Sequence, residues 1–182
     1  MSKFKGTGIF YVKSLVRSSS SEQQNGFLSM LNPDERKAYE TVLAISWISI
    51  DAAAKILKAA AEVLYPGDPA GLRAIGYKMA HNDLSGIYKI LMPVLSAAMA
   101  MSQAGKLWKQ YHDEGRAWTD KINEKTYIFN VADYPSLPEH FREMLAGYVK
   151  GVVERTGEKV EQVQRNDINP KQWKWTITIT LK

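Results

Sequence analysis

At Gly115 the hydrophobic pattern of this chain changes period, from the three-to-four spacing of helices to the alternation of strands. That switch constrains the fold more than any motif, because a half-buried sheet that follows a run of helices must take its cover from them. The alternation is clearest near the C-terminus, where Trp173, Trp175, Ile177, Ile179 and Leu181 share one side. Gln172, Lys174, Thr176, Thr178 and Thr180 take the other, so one face must be buried. Trp118, Asp120 and Ile122 share a face of an earlier strand, Asn123-Glu124-Lys125 turns, and Tyr127, Phe129 and Val131 line the partner of a hairpin. Ser136-Leu137-Pro138-Glu139 has the spacing of a capping box and opens a helix with Phe141, Met144, Leu145, Tyr148, Val149 and Val152 on one side, stopped by Gly157. Val160 to Arg165 reads as a further strand and Asn166 to Pro170 as a turn. The expected fold is α+β: N-terminal helices packed on a C-terminal antiparallel sheet of about four strands, with one helix inserted between strand pairs.

In the helical part, Ile9, Phe10, Val12, Leu15 and Val16 suit a short helix, and Ser18 to Gln24 reads as a local loop or helix end. Asn32-Pro33-Asp34-Glu35 is a helix start, with an Asn cap, a proline at the first position and two acids at the positive end of the dipole. That helix should reach about Ala44. Ser49 caps a second helix with Ala53, Ile56, Leu57, Ala60, Val63 and Leu64 on its apolar face, ended by Pro66-Gly67. Asp68-Pro69 leads to a third, faced by Leu72, Ile75, Gly76, Met79 and Ala80; Asn82-Asp83 restarts it, and Pro93 breaks it. The next helix runs to about Tyr111, and its opening, VLSAAMAMSQAG, mixes bulky and small residues as a central helix does. With 182 residues, 45% of them hydrophobic, the chain is expected to form a single domain over 1–182. The apolar run from Ile90 to Ala104 is shorter than the roughly 20 residues of a membrane span. The N-terminus lacks a secretory pattern and there is no cysteine, so the cytosol is the expected compartment.

A formal charge of +5 raises the question of nucleic acid, but the cations are scattered among acids, and a nucleic-acid partner is not expected. His81, His112 and His140 lack the paired spacing of a metal motif, and no Walker loop, dinucleotide fingerprint or nucleophile elbow is present. Asp34-Glu35 and Asp113-Glu114 are adjacent in sequence and so do not face one substrate. No enzyme activity is expected. The candidate ligand-binding residues are Trp47, Met79, Tyr88, Met92, Met99 and Phe141, joined by Met101, because flexible thioethers and aromatic rings line adaptable apolar cavities.

Phe4-Lys5-Gly6-Thr7, Leu31-Asn32-Pro33-Asp34-Glu35-Arg36, Ser46-Trp47, Gly67-Asp68 with Leu72 to Gly76, and Trp173-Lys174-Trp175 stand in an order that resembles a bacterial family found mainly in myxobacteria and other deltaproteobacteria. That family is similar to a wider group: heme nitric oxide/oxygen-binding sensors, 4-vinyl reductase domains, effector domains of aromatic-responsive activators, and TRAPP tethering subunits. The resemblance implies a non-catalytic sensor that binds an apolar small molecule, or, alternatively, a protein-interaction scaffold or homodimer like the TRAPP subunits. The heme sensors of this group use a proximal histidine and a Tyr-x-Ser-x-Arg grip on the propionates. Here Tyr134 and Ser136 match that grip, Pro138 replaces its arginine, and the nearest upstream histidine, His112, lies in the polar stretch QYHDEG. No cofactor is therefore expected, heme included, and without cysteines no metal.

Overall fold

The computed structural model describes residues 2–83, 95–169 and 174–182, with the backbone alone at 167–169, 174 and 175. The chain opens with β1 (Lys3–Lys5), α1 (Gly6–Arg17), α2 (Ser21–Ser29), α3 (Pro33–Thr41), β2 (Trp47–Ser49), α4 (Ile50–Leu64) and α5 (Gly71–Asp83). It continues with α6 (Ala97–Ser102), α7 (Ala104–Tyr111), β3 (Arg116–Lys121), β4 (Thr126–Ala132), α8 (Glu139–Glu154), β5 (Val160–Asn169) and β6 (Lys174–Leu181). The expected α+β order holds. The four C-terminal strands form one antiparallel sheet in the order β3-β4-β6-β5, and α8 is the helix inserted between its two strand pairs. β1 and β2 make a separate two-stranded antiparallel sheet that alternation in three-residue pieces is too short to reveal.

Local chemistry accounts for most boundaries. Asn32 and Glu35 form a reciprocal capping box at α3, and Ser49 accepts from the Asp51 amide at the start of α4. The segment from Ser18, expected as loop or helix end, instead starts α2 through a second capping box between Ser20 and Gln23. Glutamine completes such a box as glutamate does. α3 stops at Thr41 rather than near Ala44. The helix expected to run unbroken to Tyr111 is interrupted at Gln103, which separates α6 from α7. α5 passes through Asn82 without restarting; its expected continuation, with Leu84, Ile87, Leu91 and Pro93, lies outside the described residues. β5 extends to Asn169, into the segment expected to turn, with a register shift between Asn166 and Asn169.

The central packing is between α5 and α8, not around α6. A Cβ added to Gly76 would lie 1.9 Å from the Met144 carbonyl oxygen, and one on Gly147 would lie 1.9 Å from that of Arg73. Only glycine lets these two backbones touch. One continuous apolar core joins Ile9 and Val12 of α1, Ile56 and Leu57 of α4, Ile75 of α5 and Phe141 of α8 to Val131, Ile177 and Ile179 of the sheet. Among the described residues, no helix is long and apolar enough to cross a membrane.

Candidate functional site

α7 ends where the His112 amide donates to the Trp108 carbonyl at 2.8 Å, after which His112 adopts extended backbone angles. Residues four apart lie over one another on a helix, and the Trp108 and His112 rings stack with centroids 4.0 Å apart at 13°. Phe4, Tyr134 and Phe141 close the remaining sides of the imidazole, at centroid distances of 5.1, 5.6 and 6.0 Å. The result is a histidine only 4% exposed, whose Nδ1 is buried without a hydrogen bond among the described residues. Burial pushes its pKa down to about 3, so the ring is neutral near pH 7.

His112 and Trp108 stand at the wall of a cavity of about 70 Å³. Its lining is mostly carbon and sulfur, from Met79, Met101, Leu107, Phe129, Met144 and Val149 among others. The polar exceptions are His112, Asp83, Tyr111 and Tyr148. The Tyr148 hydroxyl donates to Asp83 Oδ2 at 3.3 Å, and burial raises both acids, Asp83 to about 6. Among the described residues, no group of His, Asp and Glu side chains is arranged to hold a metal ion.

Beside the aromatic cage, the Ser2 and Ser136 hydroxyls are hydrogen-bonded to each other and both lie within reach of Glu114 Oε2, the second at 3.1 Å. Ser136 was expected to cap α8. Pro138 is the capping residue instead and, having no side-chain acceptor, makes no cap bond, while the Ser136 hydroxyl turns to Ser2 and Glu114.

Of the six candidate residues, Met79 lines the cavity, and Phe141 is fully buried against Phe4 and His112. Trp47 is 41% exposed on β2, with Lys5 Nζ 4.9 Å above its ring, and Met99 is 55% exposed on α6. Neither is among the residues that line the cavity, and Tyr88 and Met92 lie outside the described residues. His112, Trp108 and Asp83 do line it but were not candidates. The spacing of Trp108 and His112 was the available signal; the polar neighbours of His112 masked it.

No protein-family profile matches the sequence, and no curated protein is similar to it in sequence. The fold does have solved counterparts. An Fe(II) unliganded H-NOX protein from K. algicida superposes with a TM-score of 0.71 at 10% identity, over 98% of this chain and 96% of its own. An H-NOX protein from S. oneidensis in the Fe(II)NO ligation state gives 0.68 at 14% identity, over 98% and 99%. An oxygen-binding H-NOX domain related to soluble guanylate cyclases gives 0.63 at 12% identity, over 97% and 92%. A fold shared with these Fe(II), Fe(II)NO and oxygen-binding H-NOX proteins overturns the expectation of no cofactor, heme included. The physical error lay in His112: its polar neighbours in sequence suggested a solvated ring, whereas the turn after Trp108 carries it into the core. The α+β architecture of this chain is the H-NOX fold.

Proposed function

We propose that this chain is a non-catalytic sensory domain that receives a small, largely apolar molecule in the cavity beside His112, with heme as the candidate resident group. The observation that carries this reading is a neutral imidazole with an unpartnered nitrogen at the wall of an apolar cavity. The H-NOX fold of the chain supports it.

The donor chemistry fits heme. A neutral imidazole ligates iron without first losing a proton, and an apolar wall suits the face of a macrocycle. The Ser2 and Ser136 hydroxyls already hold one carboxylate, that of Glu114, so a propionate would compete with Glu114 for the same donors. Space sets the remaining condition. The cavity is about 70 Å³, roughly half the ~150 Å³ that takes up benzene, so a macrocycle requires Trp108 to leave the face of His112. When bound, heme would supply an iron able to take a diatomic gas. His112 would hold that iron, while the methionine, leucine and valine side chains exclude water.

Titration with hemin and with metal-free protoporphyrin tests the reading. Hemin should give a sharp Soret band that His112→Ala abolishes, and protoporphyrin should raise Tm without that dependence. If neither porphyrin nor a panel of compact apolar molecules changes Tm, the cavity is not a ligand site.

A second reading, a homodimer or interaction surface, draws on Leu43, Ile45 and Trp47, three exposed apolar side chains in one short segment. A monomer mass that stays constant in sedimentation from micromolar to millimolar protein would remove it.

A further inference from the structure

A separate pocket opens between α1, α2 and α3. It encloses about 240 Å³ and is lined by Lys13, Val16 and Arg17 of α1, Leu28 of α2, and Tyr39 and Glu40 of α3. Lys13 and Arg17 stand four residues apart, so they share one face of α1. Arg17 is exposed, whereas Lys13 keeps only 9% of its surface. Its Nζ donates to the Glu40 carbonyl oxygen at 2.5 Å and stands 5.6 Å from the centroid of the Tyr39 ring. Both partners line the pocket, which puts the ammonium at its wall. Burial raises the pKa of the Tyr39 hydroxyl while Arg17 pulls it down, so the guanidinium bears on the same wall.

These two cations lack an anion. Lysine is seldom buried this deeply unless paired, because an ion removed from water must be compensated. An ammonium has three N–H donors, and the Glu40 carbonyl engages one. That carbonyl belongs to the last turn of α3, whose dipole supplies about half a negative charge. Two full positive charges face it. Glu40 is the acid of the lining, and its carboxylate is taken by Arg36 at 2.9 Å on the exposed side of α3. Neither Lys13 nor Arg17 makes an ion pair among the described residues. Like charges four apart on a helix repel, so the pair costs stability that a bound anion would restore.

We infer that this pocket binds a small organic anion, a carboxylate or phosphate ester, with its charged oxygens between Lys13 and Arg17 and its body against Val16, Leu28 and Tyr39. Arginine offers such oxygens a planar fork, and lysine offers a point charge. The volume suits a single ring with its anionic group, since about 240 Å³ exceeds the ~150 Å³ that takes up benzene. The apolar side chains of the lining favour an organic anion over bare phosphate. This site is distinct from the cavity beside His112, and neither reading depends on the other.

Benzoate and benzamide, which share a shape and differ by a negative charge, test the inference on the full chain, with phenyl phosphate and inorganic phosphate as further arms. Binding is read from the methyl resonances of Val16 and Leu28, which line the pocket, so the readout also locates the ligand. The tighter of benzoate and phenyl phosphate identifies the anionic group, and it should bind about tenfold more tightly than benzamide, less so as salt is raised. Lys13→Met keeps the buried stem and removes the charge; Arg17→Gln does the same at an exposed position where folding is not at stake. Each should sharply reduce the preference for the anion. A lysine that only ties α1 to α3 would lower Tm in Lys13→Met while the wild type showed no anion preference. Benzamide binding as tightly as both anions, a preference that survives in both variants, or no shift at Val16 and Leu28 with any probe overturns the inference. Inorganic phosphate binding as tightly as phenyl phosphate and benzoate overturns the assignment of an organic body.

Discussion

Burial leaves His112 neutral far below the pH at which a solvated imidazole takes its proton, and that has a measurable consequence for folding. Between about pH 6.5 and 3 the unfolded chain protonates this group and the folded chain does not, so its contribution to stability is full above 6.5 and is lost as pH falls. Asp83 works in the opposite sense. Its folded pKa of about 6 lies above the ordinary 3.8, so the folded chain holds the proton longer, and stability falls as pH rises through that window. Each slope is about 1.4 kcal/mol per pH unit. Over the shared range, from about 4 to 6, the two cancel, and removing either exposes the other. His112→Phe should lose about 3 kcal/mol as pH rises across that range, and Asp83→Asn should gain about as much. Urea unfolding at pH 4, 5 and 6 checks this as the difference between the two variants, since the remaining carboxylates titrate alike in both. Parallel curves would mean that the two groups are not buried together as described.

At the scale of elements, the contact between α5 and α8 depends on two glycines whose missing side chains admit the opposite backbone. Gly76→Ala or Gly147→Ala places a methyl group 1.9 Å from a main-chain carbonyl oxygen, which no rotamer change relieves. Either should cost about 3 kcal/mol or more in denaturant unfolding. Gly26 is the internal comparison. It also sits in a helix, yet its nearest neighbour across the would-be Cβ is a Val63 methyl at 4.0 Å. Gly26→Ala should therefore stabilise, by about 0.5 to 1 kcal/mol, because alanine loses less backbone freedom on folding. If all three changes act alike, the close approach of α5 and α8 is wrong. The caps separate in the same way. Asn32→Ala removes a bond to the Glu35 amide and should cost about 1 kcal/mol, whereas Ser136→Ala removes no helix cap.

For the molecule as a whole, what the sequence made legible was what local pattern controls. The change of period at Gly115 forecast the β3-β4 hairpin and the later β5-β6 pair, and the apolar stripe of α8 showed which side it buries. The elements that sequence reading missed depend on distant partners. β1 and β2 are three residues each and pair across more than forty positions; Ser136 left its cap for Glu114; and His112 was buried by Phe4, Tyr134 and Phe141 from three other segments. Those same contacts join the N-terminus to the cavity wall. Phe4 bridges His112 in the backbone, Lys3 N donates to Asp113 Oδ1 at 2.6 Å, the Asp113 amide returns a bond to Lys3 O at 3.3 Å, and Ser2 donates to Glu114. A displacement of the His112 ring must therefore load β1, and through it the Gly6 and Ile50 amides, which donate to Ser46 O and Ser2 O. Glu114→Gln combined with Ser2→Ala weakens that connection without touching the core. Hydrogen exchange should then quicken at Gly6 and Ile50 by about tenfold, the loss of about 1.4 kcal/mol of local protection, while the Ile177 and Ile179 amides of β6 stay unchanged. If exchange quickens equally in β6, the substitutions have loosened the whole fold, and the N-terminal segment has no separate connection to the cavity.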